Sequence, residues 1–539
     1  MLFSLALAAL LASPGSAPQE AHHAGGHDKI GTVKFSTSCT EAAQPAFLRG
    51  MALLHSFEFG PAIDSFNAAA TADASCGIAH WGIALSRWGN PFAAGIKPPP
   101  VLQAGRAAIE KAKAVGAKTD RERAFIDAAG RLYADFETKD QRTRVLAYRD
   151  AMKQVAASNP KDPEASAFYA LAIASSQDPS DMTYASLLEA GKILEQLVPT
   201  QPDHPGFVHY IIHAYDAPPL ASRALDAAKR YSKIAPDAPH ALHMPSHTFT
   251  RLGNWQESIE SNIASAEAAR RVKTPGEELH AMDYQTYAYL QLARDASTKK
   301  VVDGLGDVRA RLVAPGAVAG AAPPLGAAFA SAAIPARYAL ERSAWPEAAA
   351  LEASASTFPQ ADAITWFAKA IGAARMEQKD LAAARTAIGN LEQLQGKLAA
   401  AKESYWAEQV AIQHLGASAW LAFADGRKDE GLSLMRQAAD REDKIEKNAV
   451  TPGPIAPARE QLGEMLLALK KPAEALLAFE TTLKKEPNRY RAIAGAAEAA
   501  RATGNTAAMR KYSQALVLAS AKADGPVRPE ITTAKEALK

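Results

Sequence analysis

The octapeptide HALHMPSH, residues 240 to 247, carries His240, His243 and His247. HYIIH, 34 residues before the second of these, carries His209 and His213 at the same four-residue interval as His243 and His247. Imidazoles four apart leave a helix from one face, one turn apart, which is the arrangement of a two-ligand metal clip. A third stretch, EELHAMDYQTYAYLQLA, puts His280, Asp283, Tyr284 and Tyr287 on one helical face. Neutral imidazole binds zinc, copper, nickel or iron, and a His/Asp set without thiolate suits these ions better than calcium or magnesium. The residues expected to hold a divalent transition metal (zinc, copper or iron) are therefore His209, His213, His243, His247, His280 and Asp283. His240, Asp216, Tyr284 and Tyr287 are expected to line the same hollow, with His55, Glu58, His80 and Trp81 farther along it.

Two other readings of these histidines stay open. They are donors in a polar groove for a peptide or small anionic ligand, or they are packed helix residues, each with one satisfied nitrogen. If the cluster carries chemistry, a bound metal polarises water or substrate, with Asp283, Asp216 or Tyr284 as acid/base or supporting partners. That would make a hydrolase or an oxidoreductase. Other nucleophile and metal signatures are absent: the chain has neither HExxH nor GxSxG. GNLEQLQGKL, residues 389 to 398, fails as a phosphate loop because Leu398 stands where a hydroxyl must hold magnesium.

The histidines need helices of matched register to bring them together, and the chain supplies a periodic signal for those. Gly50, Ala62, Phe66 and Ala69 recur in type and spacing as Gly463, Ala475 and Phe479, followed by the turn residue Pro487. Ala508, Tyr512 and Ala515 form a third copy, and Ser246, Ser258 and Ser265 fill the small places of a fourth. Small residues let two helices cross closely while the aromatic fills the gap between them.

On these residues the chain resembles the tetratricopeptide-repeat superfamily, whose unit is 34 residues. HxxxHAYD, HxPSHxF and HxxDY also look like a little-characterised group of exported bacterial members. The positions that match are His209, His213, Asp216, His243, His247, His280 and Asp283. The resemblance implies an all-α, right-handed superhelical solenoid of helix hairpins with a concave groove. It sets His209 and His213 at the same groove-facing places as His243 and His247 one repeat later, so that side chains from neighbouring helices converge. It also implies binding of a protein, peptide or small molecule in the groove. It brings no reaction, and a metal-free interaction scaffold remains an alternative. Residues 162 to 200 and 277 to 312 depart from the pattern through longer loops.

The organisation expected is a signal peptide at 1–17, a flexible histidine-containing leader at 18–34 and a groove-bearing array at 35–312. A Pro/Gly-rich connector follows at 313–327, then a second array at 328–522 and a tail at 523–539. The signal-peptide reading rests on the apolar run Leu2 to Ala12, Pro14, and small residues at Gly15 and Ala17, although no Lys or Arg precedes the run. It implies a periplasmic or extracellular protein. His22, His23 and His27 lie in the leader and would hold copper or zinc only loosely.

The apolar stretch around residues 312 to 336 is broken by prolines and reads as connector plus short helices, so no transmembrane span is expected. Lys and Arg total 60 against 58 acidic residues, which gives no electrostatic reason to bind nucleic acid or anionic lipid. The two cysteines, Cys39 and Cys76, would pair in an oxidising compartment, or else stay as buried thiols.

Overall fold

The computed structural model describes residues 28–93 and 95–539. The expected signal peptide, and His22, His23 and His27, lie outside the described residues. Within them the chain is all-helical, a tandem series of antiparallel hairpins beginning with Gln44–His55 and Phe59–Ala72 and ending with Tyr490–Ala502 and Thr506–Ala519. The hairpin architecture follows from local rules. Hairpin turns repeatedly place one residue in the left-handed region: Phe57, Gly253, Ala293, Ser343, Gly426, Lys470 and Gly504. The next N–H then reaches back to the carbonyl five residues earlier, as from Glu58 to Leu53, Asn254 to Phe249 and Asn505 to Ala500.

Packing between hairpins uses the small and aromatic residues seen in the sequence. The ring of Phe66 is pinched between two helix crossings: a Cβ added at Gly50 would lie 2.8 Å from it, and one added at Gly82 only 2.5 Å. Phe479 repeats the device between Gly463 and Gly495. Two large apolar cores result, one drawn from Ile30 to Phe249 together with Ala321 and the other from Ala293 to Ala534.

Several boundaries differ from the sequence expectation. The leader packs from residue 28 onward, with Ile30 and Val33 buried and the Thr32 N–H bonded to the Asp203 carbonyl. The connector ends at Pro323, because one helix, Pro324–Glu341, replaces the expected short helices. Pro335 sits inside that helix and cannot bond the Ser331 carbonyl four residues back. Arg309 donates to that carbonyl instead. The tail is also ordered: Pro529–Ala537 is helical with Ile531 and Ala534 buried, and Arg528 forms a buried ion pair with Asp295.

Cys39 and Cys76 are joined by a disulfide that ties the N-terminal segment to the start of the helix Gly77–Trp88. No helix among the described residues is long and apolar enough to cross a membrane.

The arrays do not run apart. Trp255 Nε1 donates to the Asn488 carbonyl, and the Tyr490 N–H to Gln291, so the second array folds back onto the first. The segment between the helices Lys428–Glu442 and Ala458–Ala468 enters the concave side as a strap. Arg337 holds it by donating to Thr451 Oγ1 and to the Gly453 and Pro454 carbonyls.

The pinch carries a measurable consequence. Gly82→Ala should lower stability by about 1–3 kcal/mol, the usual cost of overpacking. Gly60→Ala, where a Cβ meets nothing within 4 Å, should be neutral or stabilising by up to about 1 kcal/mol. Equilibrium urea unfolding of the two variants distinguishes them.

Candidate metal centre

The helices Pro205–Ala214 and Pro239–His243 begin 34 residues apart, so His209 and His243 occupy equivalent places. Pro245 divides the second helix from Pro245–Arg251, but Met244 keeps right-handed helical angles, so His243 and His247 stay one turn apart. The next helix of the same kind, Pro275–Gln291, adds His280. All six histidines, His240 included, are buried.

They do not gather about one point. His209, His213 and His240 form one trio with donor atoms within 4.8 Å of one another, and His243, His247 and His280 form a second. The first trio spans two helices, because His240 reaches back to the helix of His209 and His213, and the second spans three, because His280 reaches back to His243 and His247.

Hydrogen bonds at the outer nitrogens set which nitrogen of each ring is free. His247 Nδ1 is 2.9 Å from Asp216 Oδ2 and donates to it. Asn262 Nδ2 donates to the Ser258 carbonyl, which turns its Oδ1 toward His243 Nδ1 at 2.7 Å. His209 Nδ1 donates to the His55 carbonyl, also at 2.7 Å. Each of these rings therefore presents a bare Nε2 lone pair. The Nε2 atoms of His243 and His247 face each other at 3.0 Å, and those of His209 and His240 at 3.2 Å. Two nitrogens at 2.0–2.1 Å from one tetrahedral ion stand about 3.3 Å apart. The spacing therefore matches two ligands of a common metal. His213 Nε2 and His280 Nδ1 are buried without a partner.

Burial, reinforced by neighbouring imidazoles, holds His209, His213 and His243 well below the ordinary imidazole range and pushes His280 down to about 3. Burial also lowers His247, against the pull of Asp216. These five are thus in the neutral, ligating form near pH 7. Asp216 is ionised: burial opposes its charge, but Lys447 and Arg251 hold its carboxyl well below the usual range.

Phe57 and Phe92 wall the first trio. Phe57 packs edge-on against His209 with centroids 4.4 Å apart, and Phe92 stacks on His213 at 3.9 Å. Tyr284 packs its ring on His243 and sets its hydroxyl 3.2 Å from the Ala449 and Thr451 carbonyls of the strap. The strap thereby covers the second trio. Glu58 accepts from the His240 N–H at 3.5 Å, and burial together with Glu277 raises its carboxyl to about 8.

Other expected site residues lie elsewhere. Asp283 turns away from the imidazoles because Arg337 Nε donates to it at 2.8 Å in a fully buried pair. Tyr287 belongs to the junction of the arrays, bonded to Glu486 and Arg489. Trp81 is a core residue among Phe35, Phe125 and Phe168, so the groove is not its place. His80, beside it in sequence, is half-buried on a different face, where burial and Lys111 lower its imidazole.

His55 joins a separate buried group. Its Nε2 is 3.0 Å from Glu164, which also takes His204 Nε2 at 2.8 Å, while its Nδ1 meets the Tyr210 hydroxyl. Both carboxylate oxygens and both His55 nitrogens are thus already used, so this group braces the His55 carbonyl that orients His209. Sequence reasoning missed Glu164 and His204, and also Asn262, Phe57, Phe92 and Glu277. Glu277 alone had a visible signal, three residues before His280 on the same helix.

No protein-family model and no curated protein matches the chain. Among solved structures it is similar to a human IFIT1 dimer with m7Gppp-AAAA, at 10% identity and TM-score 0.37, over 82% of this chain and 90% of that one. It is similar to Naa15/Naa10 bound to HypK-THB at 11% and 0.23, over 92% and 73%. The P58(IPK) TPR domain gives 12% and 0.23, over 86% and 99%. Likeness this distant says nothing of ligand or partner. The hairpins, their repeated turns and the glycine-pinched aromatics make the chain a tetratricopeptide-like helical-repeat protein.

Two outcomes follow for the metal-free protein. His209, His213, His243, His247 and His280 have folded-state values below the unfolded value near 6.5, so their contribution is full above that pH and is lost as pH falls. Each proton taken up steepens the loss by about 1.4 kcal/mol per pH unit. Thermal unfolding between pH 7 and pH 5 should show a steep drop in midpoint. Asp216→Asn leaves Lys447 without its nearest carboxylate and Arg251 with Glu446 alone, and should cost about 3–5 kcal/mol in urea unfolding.

Proposed function

We propose that the protein is an exported binding protein whose histidine cluster holds a first-row transition metal, zinc, copper or iron. The observation that carries this reading is the contact at 3.0 Å between the bare Nε2 atoms of His243 and His247, beside the His209–His240 Nε2 contact at 3.2 Å in the adjoining trio. Bare lone pairs of neutral rings repel at that distance, and an ion between them turns the repulsion into two bonds. Backbone and side-chain acceptors at the outer nitrogens supply the orienting contacts that metal-bound histidines require. The export part of the proposal draws on the Cys39–Cys76 bridge, since stable disulfides belong to oxidising compartments.

A second reading, a metal-dependent hydrolase or oxidoreductase, is favoured by one observation. A cavity of about 530 Å³ borders the cluster at His213 and Asp216 and is lined elsewhere by Trp88, Tyr184, Tyr405 and Lys447. It has the size of a small-molecule site. A peptide partner in the groove is less favoured, because the protein's own strap lies there.

Metal analysis of the purified mature protein tests the proposal. Stoichiometric zinc, copper or iron is expected, with loss of metal in His243→Ala and His213→Ala and a lowered thermal midpoint after chelation. A wild-type protein that takes up none of these metals, with unchanged stability under chelator, would leave a metal-free interaction scaffold.

A further inference from the structure

The two trios abut. The rings of His213 and His247, from different trios, have centroids 6.1 Å apart, and those of His240 and His243 are 6.2 Å apart. Within the first trio, His213 and His240 are separated by 6.4 Å. The gap between the trios is thus no wider than a gap inside one. A single cavity of about 30 Å³ touches both, lined by His213 and His240 from one and by His247 and His280 from the other. Phe92, Ala449 and Val450 close it. That is space for roughly one small molecule of water size.

The donor set narrows the ion. Each trio offers three imidazoles and neither thiolate nor carboxylate. Nitrogen sites bind copper most tightly of the divalent first-row series, whereas carboxylate-rich sites suit manganese, magnesium and calcium. Charge points the same way. Asp216 is already committed to Arg251 and Lys447, and Glu277 lies 3.9 Å from His240 Nδ1, on the ring edge away from His209. Two buried dications would find little compensating anion, and burying an ion costs more steeply as its charge grows. Two monovalent copper ions halve that charge.

We propose that the six histidines form one binuclear copper centre whose ions, as Cu(I), take up dioxygen in the cavity between them. This rests on the reading that the cluster binds metal at all. Each Cu(I) gives one electron to dioxygen, which becomes a peroxide bridging two Cu(II) ions. The O–O double bond falls to a single bond, two Cu–O bonds form, and no proton moves. Phe92 and the strap residues Ala449 and Val450 keep bulk water from the bridge. The cavity of about 530 Å³ shares Phe92, Ala93, His213, Asn448 and Ala449 with the smaller one, which gives a co-substrate an approach from the first trio's side.

The test uses full-length metal-free protein loaded anaerobically with Cu(I) and then exposed to air. Two equivalents of copper are expected, with one dioxygen consumed per pair and an oxidised form silent in electron paramagnetic resonance because the two spins couple. His209→Ala and His280→Ala, each checked for helical content and thermal midpoint, should each retain one copper and show a full single-copper signal after oxidation. One equivalent in the wild type, two with an undiminished signal, or a preference for zinc in direct competition would overturn the binuclear copper centre and leave the metal reading standing. Failure to take up copper, zinc or iron would overturn both.

Discussion

The structure depends on how closely successive hairpins can approach. Where Phe66 lies between Gly50 and Gly82, there is no room for another methyl group on either side. The crossing can therefore be made in only one register. A fixed register is what turns a chain interval of 34 residues into a lateral step between neighbouring helices. His213 and His247 become neighbours in space for that reason.

Close packing also decides the chemistry of the rings. An imidazole on a solvated helix titrates near neutrality, but these are buried among Phe57, Phe92, Tyr284 and one another, where the charged form is penalised. Neutrality alone would leave two tautomers for each ring. Asp216, Asn262 and the His55 carbonyl select one for His247, His243 and His209, which leaves the Nε2 atoms of His243 and His247 bare toward each other and that of His209 bare toward His240. Glu164 performs a different task with the same residue types. By binding both His55 and His204 it completes their hydrogen bonds and becomes a brace. The contrast separates a satisfied histidine group from an unsatisfied one by counting partners.

The second array closes the site. Its strap brings Glu446 to Tyr184 and Arg251, Lys447 to Asp216, and the Ala449 and Thr451 carbonyls to Tyr284. Arg337 is the anchor, since its guanidinium ties Asp283 to three strap residues at once. The groove of this repeat protein is thus filled from within. What stays open is the cavity beside His213, walled by residues from both arrays.

The sequence by itself determined the hairpin repeat, the pairing of Cys39 with Cys76 as one of two alternatives, and the clustering of the HxxxH pairs on adjacent helices. These are legible because periodicity and one-turn spacing are local, and a repeat carries local geometry forward unchanged. Tertiary structure alone decided that His240 joins His209 and His213, that His280 joins the other pair, and that Asp283 serves Arg337 rather than the imidazoles. It also decided where the strap lands and that the tail packs on Asp295. The first two depend on how neighbouring hairpins rotate against each other, and the others on contacts whose partners lie 54 or more residues away. Small rotations per repeat add up to a position that no interval in the chain encodes.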